Sequence, residues 1–319
     1  MRGVTWQASG DVAYPRADPT DPRLPVDTWE AATIPVGVRL ELVGDADVIE
    51  VAYRTETEDL GQRGSGAGCT FALLRGESTI AEEPAVLGEG VVRLPFGYAS
   101  PEQPATIHLP EGMRPTIVSV TAVGGIIEPG PTQLRWLAYG DSVTEGWVAS
   151  GPAHSWAAIT GRQVGVNVVN MGYAGGGRGE IASAVQLAEL QADVITVAFG
   201  TSCWNRTPCS AAMLAEITRS FLEVVRVGHP DCPVLVVSPL LRPGAENTSN
   251  RLGATLGDLR AAQEAVVTEL ARADKSLVLI RGTALIGTEL LAADGIHPND
   301  QGHRRIAEVM TERLFASFL

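Results

Sequence analysis

The chain has 319 residues, more than one hydrophobic core usually fills, so two domains are expected. With 24 basic against 37 acidic residues the formal net charge is −13, which leaves no positive footprint for nucleic acid. Hydrophobic residues make up 45%, yet no run approaches the ~18 consecutive apolar residues of a membrane span.

The opening stretch, Met1 to Pro15, holds no apolar core of a secretory signal and predicts a cytoplasmic location. Residues 1–127 then predict an all-β domain. Val36, Val38, Leu40 and Leu42 alternate with Gly37, Arg39 and Glu41, the period of a half-buried strand. Val48–Tyr53, Cys69–Leu74, Gly90–Leu94 and Ile117–Val123 are further strand candidates. Turn-rich stretches at Gly61–Gly68 and Ser100–Pro104 punctuate them. Many short strands between turn signals predict a sandwich. Three turn-formers without apolar period mark a linker at 128–132.

From 133 to 319 the pattern changes to alternation. Apolar runs at Leu134–Tyr139, Val166–Asn170, Val194–Phe199, Val234–Ser238 and Leu277–Ile280 predict strands. Between them, Ser155–Gln163, Glu180–Leu190, Ala211–Val227 and Asp258–Ala273 predict helices, and Gln301–Leu314 predicts a last one. In that last helix Ile306, Val309, Met310 and Leu314 form a stripe at helical spacing. Such alternation predicts an α/β unit, a parallel sheet covered by helices on both faces, with chemistry in loops at the carboxyl ends of the strands.

Two short segments carry candidate chemistry. Gly140-Asp141-Ser142 follows the first strand of the predicted parallel sheet, which puts Ser142 at the sheet edge near a helix N-terminus; a capping serine would sit in the same place. Asp294-Gly295-Ile296-His297-Pro298 precedes the last helix, and a single turn can bring that carboxylate and imidazole together. An ordinary loop histidine is the plain alternative. A serine hydroxyl needs a base to take its proton, and the base needs a group to orient it. Cys69, Cys203, Cys209 and Cys232 form no Cys-x-x-Cys pair and are read as free thiols. No phosphate-binding loop and no metal-ligand cluster is present, so no cofactor or metal is expected.

Gly-Asp-Ser after an early strand, together with Asp-x-x-His-Pro before a terminal helix, resembles the GDSL, or SGNH, hydrolase family over Leu134–Leu319. The resemblance implies a flavodoxin-like three-layer α/β/α catalytic domain at 133–319, here preceded by a jelly-roll-like β-sandwich. It implies a triad of Ser142, His297 and Asp294 and an acyl-serine intermediate. For the oxyanion hole it implies the Ser142 N–H, Gly172, and a third donor where the family carries Asn. Ser202 stands at that position, with Asn205 nearby as the alternative. Asn205, Trp204, Arg178 and His154 are candidate substrate-binding residues. The loop Pro239–Leu252, with Arg242, Asn247 and Asn250, is a candidate roof over the pocket, and His303 is expected at the surface.

The expected partners are a small-molecule acyl donor, ester or acyl-coenzyme A thioester, and a hydroxyl acceptor. Two-domain form and absent signal are similar to a subset of the family that includes an acyltransferase of tetracycline-type polyketide tailoring. A carbohydrate or small-ester esterase is the alternative. A non-catalytic carbohydrate-binding protein is the third reading.

Overall fold

The computed structural model describes residues 1–61 and 68–318; residues 62–67 of the turn read at Gly61–Gly68 lie outside them. The first 38 residues depart from the all-β expectation. They form an extended strap that carries one short helix, α1 (Val26–Ala32), entered from Pro25. Its apolar residues Ala17, Ala31 and Ala32 are buried in one cluster with Leu137, Tyr139 and Val169 of the parallel sheet. No periodic stripe announces this segment, because its burial comes from docking on another unit.

Eight strands follow: β1 (Arg39–Gly44), β2 (Val48–Thr55), β3 (Thr70–Arg75), β4 (Ser78–Pro84), β5 (Gly88–Pro95), β6 (Ala105–His108), β7 (Pro115–Val123) and β8 (Ile127–Pro129). They form two antiparallel sheets, ordered β4-β3-β6-β1-β8 and β5-β2-β7. Leu40, Phe71, Leu73 and Ile107 of the first sheet share a buried cluster with Ile49, Val51 and Leu94 of the second. The alternation read at 48–53 is this burial pattern, whereas 36–42 is buried on both faces: Arg39 and Glu41, expected at the surface, are buried as an ion pair. β8 overlaps the start of the stretch read as a linker, and it pairs with Leu42–Gly44 of β1.

The remainder alternates strand and helix: β9 (Arg135–Gly140), α2 (Ser142–Glu145), α3 (Trp156–Val164), β10 (Asn167–Gly172), α4 (Ile181–Glu189), β11 (Val194–Ala198), α5 (Ser202–Asn205), α6 (Ala211–Gly228), β12 (Val234–Val237), α7 (Leu256–Leu270), β13 (Leu277–Ile280) and α8 (Asp300–Ser317). All five strands pair in parallel, in the order β10-β9-β11-β12-β13. Each strand sends alternate residues to opposite faces. Leu137 and Tyr139 pack with Phe221 of α6 and Leu259 of α7, whereas Trp136 and Ala138 pack with Ile159 of α3 and Met310 of α8. The helices thus cover both faces of the sheet. Strand order reverses between β10 and β11, on either side of β9, and in open α/β sheets the crevice at such a reversal is where ligands bind.

The two regions meet where β1 and β3 pack on β10 and on the turn before α3. Ala72 and Leu74 are buried against Ala153, and the Arg39 guanidinium donates to the Val168 carbonyl at 3.1 Å. Among the described residues no helix is long and apolar enough to cross a membrane.

Candidate active site

β9 ends at Gly140, where any Cβ would lie 2.3 Å from the Ala198 carbonyl oxygen and 2.2 Å from Thr144 Oγ1. Only glycine lets β9 and β11 approach while the chain turns sharply into α2. Asp141 caps this single-turn helix by accepting from the Val143 N–H at 3.0 Å, which leaves Ser142 as its first residue. Burial pushes the Asp141 carboxyl up from 3.8 to about 7, against hydrogen bonds from the Val143 and Thr201 N–H groups.

The second segment folds as a tight turn before α8. Asp294 Oδ1 accepts from the N–H groups of Ile296 and His297 at 2.9 and 3.0 Å. Its Oδ2 lies 2.6 Å from His297 Nδ1, and His297 Nε2 lies 2.7 Å from Ser142 Oγ. The three side chains therefore stand in one hydrogen-bonded series across 155 residues of sequence. Burial works to raise the Asp294 carboxyl, but the hydrogen bonds from His297 and Ile296 outweigh it and hold it below its ordinary value. The Trp147 ring lies 5.6 Å from the imidazole, tilted by 31°.

Around this series opens a cleft of about 190 Å³. Ser142, Ser202, Asn205 and His297 line it, as do Trp147, Ala174, Gly175, Arg206, Arg242 and Ile296. A separate, small apolar cavity of about 30 Å³ lies behind the Ser142 loop, between Val143, Trp156, Leu285 and Met310; neither Ser142 nor His297 reaches it.

Several expected positions are corrected. Gly172 is turned into the packing and does not face the cleft. Its N–H donates to Asn170 Oδ1 at 2.9 Å, its carbonyl accepts from Arg16, and a Cβ there would meet the Glu145 nitrogen at 2.2 Å. The residues of that loop that face Ser142 are Ala174 and Gly175. Arg178 clamps the loop to α1: its guanidinium donates to both Asp27 carboxylate oxygens at 2.6 and 3.0 Å and to the Gly175 carbonyl. His154 does not line the cleft, and its Nδ1 is 2.7 Å from Ser150 Oγ. Trp204 underlies the cleft wall, its indole N–H donating to the Thr248 carbonyl and its ring stacked under Arg242. In the expected roof loop, Arg242 reaches the cleft, while Asn250 is used to hold the loop and the Cys209 carbonyl. His303 is fully buried, with the Trp156 N–H on Nδ1 and the Trp147 carbonyl on Nε2.

Trp147, Gly175 and Arg206 belong to no motif that sequence spacing exposes; only the folding of three strand ends onto one edge brings them together. Among the described residues no group of three or more His, Cys, Asp or Glu is set to hold a metal ion, and the four cysteines are free thiols.

The sequence pattern of the GDSL-like lipase/acylhydrolase family matches residues 134–315, more than half of the chain. No match is found among curated proteins. Among solved structures, the salicylyl-acyltransferase SsfX3 from a tetracycline biosynthetic pathway is similar at 23% identity and a TM-score of 0.81, covering 99% of this chain and 93% of its own. A putative GDSL-like lipase from Bacteroides ovatus is similar at 21% identity and a TM-score of 0.79, covering 99% and 95%. A family two carbohydrate esterase from Clostridium thermocellum, in complex with cellohexaose, is similar at 14% identity and a TM-score of 0.63, covering 88% and 91%. At these identities the likeness is one of fold. The chain belongs to the GDSL-like lipase/acylhydrolase family and is an acyl esterase or acyltransferase.

Proposed function

We propose that the protein transfers an acyl group through an acyl-Ser142 intermediate to a hydroxyl of a small molecule. The observation that carries this reading is the series Ser142–His297–Asp294 at 2.7 and 2.6 Å on the carboxyl edge of the sheet. With Nδ1–H donating to the Asp294 carboxylate, the imidazole keeps the Nε2 lone pair facing the Ser142 hydroxyl. His297 takes the hydroxyl proton as Oγ attacks the acyl carbonyl, then returns it to the leaving group. In the second half the acceptor hydroxyl gives its proton to Nε2 and attacks the acyl-serine; as the bond between the acyl carbon and Oγ breaks, His297 returns that proton to Oγ and the acylated product leaves.

Charge that develops on the carbonyl oxygen needs donors already in place. The N–H groups of Ser142 and Gly175 make no backbone hydrogen bond among the described residues, and both residues face the cleft. They are the first two donors of this reading. The Ser202 hydroxyl, from the first residue of α5, is the third.

The likeness to the salicylyl-acyltransferase over nearly the whole chain supports transfer of the acyl group to an acceptor other than water. Likeness to carbohydrate esterases supports the second reading, in which water accepts the acyl group. We read the N-terminal strands as a jelly-roll-like sandwich, with residues 1–127 as an accessory domain, 128–132 as connector and 133–319 as the catalytic unit.

The two readings separate in one assay. The protein is given an acyl thioester with and without candidate alcohols, and ester is measured against free acid. Ester that rises with alcohol supports the transferase, whereas free acid alone at every alcohol concentration supports the esterase.

A further inference from the structure

Arg206 and Arg242 both line the cleft that holds Ser142 and His297. The arginines closest to the core are paired: Arg16 with Glu145, Arg39 with Glu41, Arg260 with Glu246. Among the described residues, no carboxylate lies within ion-pair distance of the guanidinium of Arg206 or Arg242, and no acceptor is bonded to either. The acids nearby are committed. Glu246 accepts the backbone N–H of Arg242 at 3.0 Å, but its two oxygens hold the Arg260 guanidinium at 2.7 and 2.9 Å. Asp294, whose charge reaches Arg242, is hydrogen-bonded to His297.

The guanidinium of Arg242 is held in a defined place. It lies 4.8 Å from the centre of the Trp204 ring, and that ring is anchored through its N–H to the Thr248 carbonyl at 2.9 Å. Stacking holds a guanidinium by its face and leaves its N–H edge free for a planar anion. Burial lowers the pKa of Arg242, with the Asp294 charge acting in the opposite sense. A partly dehydrated cation whose donors are unused gains from an anion that supplies both charge and acceptors. Arg206 packs on Gly175, close enough that a Cβ at 175 would lie 3.5 Å from its guanidinium carbon. Both cations stand in a chain whose net charge is −13, so the positive cleft runs against the bulk field.

We propose that Arg206 and Arg242 form an anion subsite, so that the enzyme takes substrates bearing a carboxylate or phosphate beside the reacting acyl group. This rests on the acyl-serine reading above. The anion belongs either to the acyl group or to the leaving group, and the test separates the two.

The acyl arm compares p-nitrophenyl hemiglutarate with p-nitrophenyl pentanoate, which differ by carboxylate against methyl. The leaving-group arm compares p-acetoxybenzoate with p-acetoxybenzamide. The anionic member of one pair is expected to show kcat/KM about tenfold above its neutral mate, a ratio that shrinks with added salt. In the Arg206→Gln/Arg242→Gln double variant that ratio falls to about one, and in the double Lys variant part of it survives. Turnover of neutral esters with no preference in either arm overturns the subsite and leaves the acyl-serine chemistry standing. If no ester is turned over, binding decides: calorimetry on Ser142→Ala measures Kd for each uncleaved ester. About tenfold tighter binding of an anionic member, lost in the arginine double variant, supports the subsite; equal Kd values within each pair overturn it.

Discussion

Ser142, Asp294 and His297 were legible in the sequence because each lies in a short motif whose internal geometry is local. Gly140 forces the turn before the serine, and a four-residue span sets the carboxylate on the imidazole. The donors around them were harder to read. Gly172 ends β10 and Gly175 follows it three residues later, and spacing does not tell which N–H is left free; Asn170 takes the N–H of Gly172. Asn205 and Ser202 both line the cleft, and spacing alone leaves Asn205 as the alternative to the expected third donor, Ser202, whose hydroxyl has shorter reach than an amide. Replacing it tests that role. Ser202→Ala is expected to slow acylation by up to about 100-fold with little change in thermal unfolding, measured by the release of p-nitrophenol in the first turnover. An unchanged rate would remove Ser202 from the donors.

At the level of elements, the one-turn helix α2 is a poor helix by itself and exists because it is capped and wedged. Asp141 caps it, and the Asn170 amide donates to the Thr144 carbonyl at 2.8 Å. The cap has a pH signature. The Asp141 carboxyl titrates near 3.8 when unfolded and at about 7 when folded, so between those values the folded chain binds the extra proton. Its contribution is therefore full below pH 4 and is lost as pH rises through 7. Asn keeps the capping oxygen without the charge. Relative to wild type, Asp141→Asn is expected to gain roughly 2–4 kcal/mol in unfolding free energy between pH 4 and 8, read from urea titrations across that range. A difference that stays flat with pH would contradict the account of the cap. Strands β4 and β6 escaped the sequence reading for opposite reasons. Ser78–Pro84 is solvated almost throughout, and Ala105–His108 is buried throughout, so neither shows alternation.

Across the whole molecule, the five-stranded alternation was legible because each parallel strand is a continuous apolar run between amphipathic helices. The strap of residues 1–38 was not, since its role is tertiary. Arg16, 1% exposed, is its fixed point: it donates to the carbonyls of Ala31 and Ile34 in the strap and of Asn170 and Gly172 in β10, and approaches Glu145 of α2 at 3.5 Å. Glu145 in turn accepts the N–H of Ala174 in the cleft wall. The strap thus supports the loop that faces Ser142. Arg16→Met leaves these acceptors and the Glu145 charge buried without the guanidinium, and a loss of about 3–5 kcal/mol is expected in chemical unfolding. A loss below about 1 kcal/mol would mean that the strap lies on the molecule without holding it.

The central claim is that Ser142 carries the acyl group, and trapping the intermediate tests it most directly. The protein is mixed with p-nitrophenyl acetate, quenched in acid within the first turnover, digested and analysed by mass spectrometry. The account predicts one acetyl group on the peptide containing Ser142, and none on the same peptide from Ser142→Ala. Acetyl transfer at an undiminished rate in Ser142→Ala, or a label carried by another residue, would contradict it.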